Sequence, residues 1–343
     1  MKALYTKEPG DFSLVYLEEP IPKDDEVKIK VDSCAICHTD VIIKQGKALH
    51  LKFPVVPGHE FSGTVVECGK NVTSVKPGDR GAVQTIMGCG ACPPCRNNNM
   101  MRCENYKELG NKLNGGMAEY CVFPARFFYK IPDHISFEVA AMAEPLANAV
   151  KAIRYSRLKP CERVVIIGPG AIGLLVAQVA KLYNPEVLIV VGTRDSRLEF
   201  AKKFCGATHV VNVKNKDGLR ILKEDILKGQ GADVVIECAG TVNAIQSALD
   251  IVARNGRIVI EGSVDVNETI PLSPRYLQGK QASLTGIIGW ETCDFQKAID
   301  LIIQNKVSVE QFITQKFSID EWEKAFEYVT VNKSESIRVV IKP

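Results

Sequence analysis

The sequence predicts an α/β chain in which a β-rich part precedes a doubly wound parallel sheet and is completed by the tail. Three stretches carry that reading. From residue 160 to 285 short apolar runs alternate with helix-patterned segments, the rhythm of parallel βαβ units. Gly168-Pro169-Gly170-Ala171-Ile172-Gly173 separates the first of those runs from the first of those helices. Before residue 145, period-two strands and Pro-Gly turns prevail, and four cysteines crowd into residues 89–103.

Taken in order, Val27-Lys28-Ile29-Lys30-Val31 alternates as a half-buried strand does. Residues 63–67 and 81–83 read as further strands, with the turn Val75-Lys76-Pro77-Gly78-Asp79 between them. Residues 163–167 form a continuous apolar run, expected of a strand covered on both faces. A helix follows through Lys181, then a strand over 187–191 and a helix over 197–205. More strands are expected at 209–213, 233–237, 257–260 and 283–287. The tail offers helices at 294–304 and near 321–328, and a strand-like end at 336–341. Because the parallel sheet is complete before this tail, the tail is expected to return to the β-rich part. The expected domains are therefore 1–145 with 287–343, and 146–286.

A chain of 343 residues suits two domains, each with its own core. Apolar content of 46% and charged content of 24% are ordinary for a globular protein. The net charge of +3 is small and unclustered, which argues against nucleic acid or an anionic membrane as partner. Met1-Lys2-Ala3-Leu4-Tyr5 lacks the apolar core of a signal peptide, and no apolar run is long enough to span a bilayer. A cytoplasmic location is expected, where closely spaced cysteines favour metal over disulfides.

Cys89, Cys92, Cys95 and Cys103 can wrap one tetrahedral ion, with Gly90, Pro93 and Pro94 suiting a tight loop. Disulfides or an iron–sulfur site are the alternatives. Four protein ligands leave no open position, so the role expected is structural. A second constellation is Cys37-His38-Thr39-Asp40, answered by Gly58-His59-Glu60. A thiolate and an imidazole are zinc ligands, and Asp40 or Glu60 can orient or supplement them. Glu144 is the best later candidate for a third ligand, with Pro145 biasing it toward extended backbone. Glu60 is then a fourth ligand or a partner of the ligands. Alone, a Cys–His pair is more often core packing.

The glycine-rich turn has the strand-before, helix-after context that makes it informative for a dinucleotide. Gly168 permits the turn, Gly170 admits the pyrophosphate and Gly173 lets helix pack on strand. The first helical turn, Ala171 and Ile172, adds amide donors and the positive dipole end. After the second strand, Gly192 occupies the place of the acid that would bind ribose hydroxyls in an NAD site. Thr193 and Arg194 follow, with Arg197 nearby, and suit a 2′-phosphate, so NADP is preferred over NAD. The alternative is a solvated Arg194 with Asp195 bent back to the ribose.

Together these segments resemble the zinc-containing medium-chain alcohol dehydrogenases over almost the full length. The quoted segments at 37–40, 58–63, 89–103, 115–120 and 168–173 carry the likeness. It implies a GroES-like catalytic domain beside a Rossmann cofactor domain, two zinc ions per subunit, and a dimer or tetramer. By position it implies Cys37, His59 and Glu144 around catalytic zinc with Glu60 nearby, and Thr39 as the group that passes on the alcohol's proton. Primary-alcohol members carry cysteine where Glu144 stands, whereas polyol and secondary-alcohol members often carry an acid. The implied activity is thus hydride transfer between a polyol, sugar alcohol or other secondary alcohol and a nicotinamide. Two departures stand out: Ile42 occupies the place of a relay histidine, and Val213 the place of a tyrosine found in NADP-linked secondary-alcohol members. L-Threonine 3-dehydrogenase is the enzymatic alternative; a nicotinamide-binding protein without turnover is the alternative of another class. His50, His134 and His209 read as ordinary surface or core histidines, and Cys34 as an improbable extra ligand. Cys68, Cys121, Cys161, Cys205, Cys238 and Cys293 read as packing residues.

Overall fold

The strand Glu26–Ala35 organises the first of two units. Its alternation turns Val27, Ile29 and Val31 inward, and it pairs antiparallel with Glu60–Cys68, Tyr120–Pro124 and Arg338–Lys342. The computed structural model describes residues 1–47, 52–265 and 267–343, so His50 lies outside the described residues. By internal contacts the chain divides into Met1–Ala147 with Trp290–Pro343, and Asn148–Gly289.

In the first unit the sheet runs Ile313–Ser318, Arg338–Lys342, Glu26–Ala35, Glu60–Cys68, Arg80–Val83, Phe128–Lys130, with Tyr120–Pro124 also on Glu26–Ala35. The pair Ile313–Ser318 with Arg338–Lys342 is parallel. Val27, Ile29, Phe61, Val65, Met117, Phe123, Val339 and Ile341 fill the core, with Phe61 and Phe123 edge to face at 6.5 Å. The C-terminal strand thus completes the sheet begun by the N-terminal part. Two registers set up the chemistry: Ala35 lies opposite Glu60, and Val340 opposite Ala35. Cys37 lies two residues beyond one strand, His59 one residue before the second, and Arg338 opens the third.

The second unit is a six-stranded parallel sheet ordered His209–Asn212, Val187–Gly192, Arg163–Ile167, Ala232–Glu237, Val252–Ile260, Ser283–Gly286. In chain order that is third, second, first, fourth, fifth, sixth: the doubly wound arrangement. The order reverses between the first and fourth strands, which opens a crevice at their carboxyl ends. Val165, Ile189, Val235 and Ile258 are buried in these strands, as their apolar runs require. One feature carried no sequence signal: Ile221–Ile226 forms a π-helical turn. Among the described residues no helix is long and apolar enough to cross a membrane.

Candidate metal centres and nucleotide crevice

Cys37 caps the helix His38–Lys44 on extended backbone, and its N–H donates to Asp40 Oδ2 at 2.9 Å. That bond fixes the thiol's approach from the sheet end. His59 arrives from the other side through Gly58. At φ +93° this glycine is in the left-handed region, and a Cβ there would lie 2.5 Å from Cys34 Sγ and 2.8 Å from Met117 Cγ. No other residue fits the turn. The ligand atoms of Cys37, His59 and Glu60 all lie within 4.8 Å of one another. Thr39 Oγ1 is 3.8 Å from Cys37 Sγ.

The electrostatics of this group favour a cation. His59 and Glu60 are buried, and His59 Nδ1 and both Glu60 carboxylate oxygens have no hydrogen-bond partner. Arg338 Nη2 lies 3.1 Å from Glu60 Oε1, at ion-pair distance but without hydrogen-bond alignment. Its Nη1 donates to the Ile36 carbonyl at 3.3 Å. Burial raises Asp40 and Glu60, against the pull of His59 and Arg338. Burial, reinforced by Glu60, pushes Glu144 up to about 7. Burial lowers His59, but the Cys37 sulfur, Asp40 and Glu144 outweigh it and leave the imidazole well above its ordinary value. Carboxylates this reluctant to ionise, beside an orphaned imidazole nitrogen and a thiol, fit a divalent metal of zinc type.

Glu144 differs from the sequence expectation. It lies in the first turn of the helix Ala143–Ser156, not on extended backbone, because Pro145 has no N–H to lose where first-turn N–H groups are unpaired anyway. It also stands outside the set of three, and its Oε1 accepts from Trp290 Nε1 at 2.7 Å. Arg338 and Trp290 were missed in the sequence. Arg338 left a faint trace, as a charge interrupting the apolar run Ile337-Arg338-Val339-Val340-Ile341. Trp290 left none.

The knuckle is of another kind. The sulfurs of Cys89, Cys92, Cys95 and Cys103 lie within 4.8 Å of one another. Cys89 and Cys95 are 4.0 Å apart, about twice a disulfide's length, and all four are free thiols. Backbone N–H groups point at the sulfurs: Cys92 N to Cys89 Sγ and Cys89 N to Cys103 Sγ, each 3.4 Å. The N–H groups of Ala91 and Cys92 hold the Cys89 thiol down at about 6. Pro93 and Pro94 open the short helix Pro93–Arg96, where their missing donors cost nothing. These sulfurs fit a tetrahedral ion with no vacant position. Among the remaining cysteines, Cys161 and Cys293 are exposed rather than packed. His134 and His209 are exposed too.

In the second unit Gly168 has φ +100°, and a Cβ there would lie 2.6 Å from Ala239 N. Gly170 caps the helix Ala171–Lys181 and faces open space, whereas a Cβ on Gly173 would lie 2.1 Å from Gly168 O. Turn, approach and packing glycines are therefore each where a pyrophosphate cradle needs them, with Ala171 and Ile172 in the first helical turn. Gly192 is enforced by its neighbour: a Cβ there would meet Pro169 Cγ at 2.5 Å. Thr193 and Arg194 are exposed, and Arg194 caps the helix Asp195–Phe204. Asp195 Oδ1 accepts from Asn212 Nδ2 at 2.6 Å, which ties it to the third strand. Arg197, expected beside Arg194, is buried because the helical period turns it inward.

Comparisons agree with this geometry. The profile of the alcohol dehydrogenase GroES-like domain matches residues 23–133, and that of the zinc-binding dehydrogenases matches residues 171–304. The chain is 33% identical to D-arabitol-phosphate dehydrogenase of Enterococcus avium, covering 100% of this chain and 97% of that protein. It is 36% identical to L-threonine 3-dehydrogenase of Bacillus subtilis, covering 95% and 94%. A zinc-binding dehydrogenase from Sinorhizobium meliloti, solved bound to NADP, superposes with a TM-score of 0.93 at 28% identity, covering 100% and 99%. An Escherichia coli alcohol dehydrogenase solved with NADH superposes with a TM-score of 0.92 at 28% identity, covering 100% and 99%.

Proposed function

Because the chain belongs to the zinc-containing medium-chain dehydrogenases, we propose that it transfers a hydride between a polyol, sugar alcohol or other secondary alcohol and a nicotinamide, NADP in preference to NAD. The observation that carries this reading is the buried group of Cys37, His59 and Glu60 with its orphaned polar atoms. These three would hold the catalytic zinc, with Glu144 beside them as the acid that can join or replace Glu60. Cys89, Cys92, Cys95 and Cys103 would hold a second, structural zinc. When bound, the catalytic ion supplies Lewis acidity toward the alcohol oxygen.

The chain's own groups do the rest. Thr39, half-buried beside Cys37, hydrogen-bonds the alcohol and takes its proton outward. Arg338 pulls Glu60 toward its ionised form against burial, and Trp290 holds Glu144 through its indole N–H. Gly168, Gly170, Ala171, Ile172 and Gly173 receive the pyrophosphate, and Thr193 with Arg194 meets the 2′-phosphate. Gly192 leaves no carboxylate there to repel it. Arg197, buried in the first turn of the helix Asp195–Phe204, is the second candidate cation for that phosphate. Residues 1–147 with 290–343 act as the catalytic domain and 148–289 as the cofactor domain of a cytoplasmic dimer or tetramer. The threonine reading is favoured by the 36% identical relative.

The test is nicotinamide reduction over polyols, sugar phosphates, L-threonine and simple secondary alcohols, with NAD and NADP, before and after chelation. Turnover lost on chelation and stronger with NADP is expected, and Arg194→Ala should raise the KM for NADP about tenfold while leaving that for NAD nearly unchanged. Stronger turnover with NAD overturns the cofactor assignment. Threonine as best substrate replaces the polyol reading. No turnover from zinc-loaded protein leaves a substrate outside this panel or a nicotinamide-binding protein.

A further inference from the structure

We propose that Glu291 is a positioning residue for the Cys37–His59–Glu60 site: bound to Met100 in the cysteine knuckle, it anchors Trp290, the indole that holds Glu144. The inference rests on the dehydrogenase reading above and adds to it a residue that acts through another.

Glu291 caps the helix Thr292–Ile303. Its N–H donates to Asp294 Oδ2 at 3.0 Å and its carboxylate receives the Asp294 N–H, a reciprocal capping pair. Aspartate, asparagine, serine and threonine are the usual caps, because their short side chains turn straight back onto the first turn. A glutamate reaches one methylene further, and here the extra reach is used. Its Oε2 accepts from Met100 N at 2.7 Å, in a buried bond that spans 191 residues of chain. Met100 lies in the knuckle between Cys95 and Cys103. Its sulfur accepts from Thr292 Oγ1 at 3.3 Å and from Gln84 Nε2 at 3.5 Å, so the anchor is gripped from outside the cysteine loop as well.

Trp290 immediately precedes this cap. It is fully buried and packs on Phe295 at 5.0 Å, and Phe295 packs on Tyr129 at 5.0 Å. Tyr129 Oη donates to Gln84 Oε1 at 2.8 Å, and Gln84 Nε2 donates to Thr292 Oγ1 at 3.1 Å. The packing of the indole therefore ends on the same two side chains that grip Met100. Its Nε1 donates to Glu144 Oε1 at 2.7 Å, again in a buried bond. Two buried bonds on adjacent residues thus run from the knuckle loop to Glu144. Shortening Glu291 to aspartate keeps the cap and withdraws the reach to Met100. A displacement of about 1 Å at the indole is then enough to misplace the Glu144 carboxylate.

The test uses the full-length zinc-loaded protein and the variants Glu291→Asp, Glu291→Gln and Trp290→Phe, with zinc content and thermal midpoint as folding controls. Glu291→Asp should lower kcat about tenfold and leave the KM for the nicotinamide unchanged, since the cofactor's residues belong to the other unit. Glu291→Gln, whose amide oxygen can still accept from Met100 N, should restore most of the loss. On Trp290→Phe, which has no indole N–H to place, Glu291→Asp should cost nothing further. A loss as large on Trp290→Phe as on the parent overturns the proposal. A second readout needs no turnover: with Trp322→Phe, Trp290 is the sole tryptophan. In chelated protein Glu291→Asp should then raise acrylamide quenching of Trp290 several-fold and shift its emission to the red; unchanged quenching overturns the anchor. In the parent the Met100 amide should exchange hydrogen slowly, and fast exchange overturns the anchor even if Glu291→Asp does not fold. If the parent turns over no alcohol, the dehydrogenase reading fails separately, and the quenching result still decides.

Discussion

Two cysteine-bearing regions of the same structural unit answer the same question differently. The knuckle at residues 89–103 gathers four like donors on a largely exposed loop and turns its own backbone N–H groups onto their sulfurs. The 37–60 site gathers three unlike donors at the junction of buried strands and leaves polar atoms unpartnered. The first is complete without any other ligand. The second has an excess of buried acid and a position to fill. On the proposed reading, donor number and burial, more than the presence of cysteine, separate a structural centre from a reactive one.

The largest effect that can break this comparison comes from the sulfurs themselves. Cys37→Ser should lower kcat/KM by about three orders of magnitude, since a Lewis acid supplies several kcal/mol of transition-state stabilisation. Metal analysis should then find one zinc per chain. Cys95→Ser should also remove one zinc, but its loss should appear as a lower thermal midpoint, with kcat of the folded fraction retained within a few-fold. A Cys37→Ser protein that turns over at the parent rate would sink the division of labour.

Arg338 sharpens the comparison next. It is the charge that pulls the buried Glu60 toward its ionised form, and among the described residues the knuckle has no such buried ion pair. Removing one member of a buried pair costs about 3–5 kcal/mol, because the other charge is left uncompensated. Arg338→Met should therefore lower the free energy of unfolding in urea by that amount in chelated protein. Zinc, by sharing Glu60, should recover part of the loss. Equal destabilisation with and without zinc would show that Glu60 does not face the ion.

What could be read beforehand follows from how far apart the partners are in sequence. The cysteine spacing and the glycine turn are local, and their geometry follows from a dozen residues. The parallel strands were legible because burial on both faces writes a continuous apolar run. Arg338 was not, because its partners Ile36 and Glu60 come from the other end of the chain and meet it only through strand register. Glu144 was placed on the wrong backbone because a proline's bias against helix in the preceding residue gives way where a helix begins. Gly192 was read as a missing acid; the structure adds that Pro169 allows no side chain there.

The smallest effect contrasts an acid that carries its own cations with the acids that lack them. Glu138, in the helix Phe137–Ala141, accepts from Lys316 Nζ at 2.6 Å and lies 2.9 Å from Lys342 Nζ. Burial raises its carboxyl, but the two lysines prevail and hold it at about 2. Glu144, buried near Glu60, is pushed the opposite way. A carboxylate held below its ordinary value near 4.5 contributes stability that is present above that pH and lost as pH falls toward about 2. Thermal midpoints of the parent should accordingly decline across that window, and Glu138→Gln should flatten the decline. The difference between parent and variant should be the same with and without chelator, because this acid is neutralised by lysines and not by metal. A chelator-dependent difference would mean that the Glu138 cluster and the 37–60 site are coupled, and that the two kinds of buried acid in this unit are not independent.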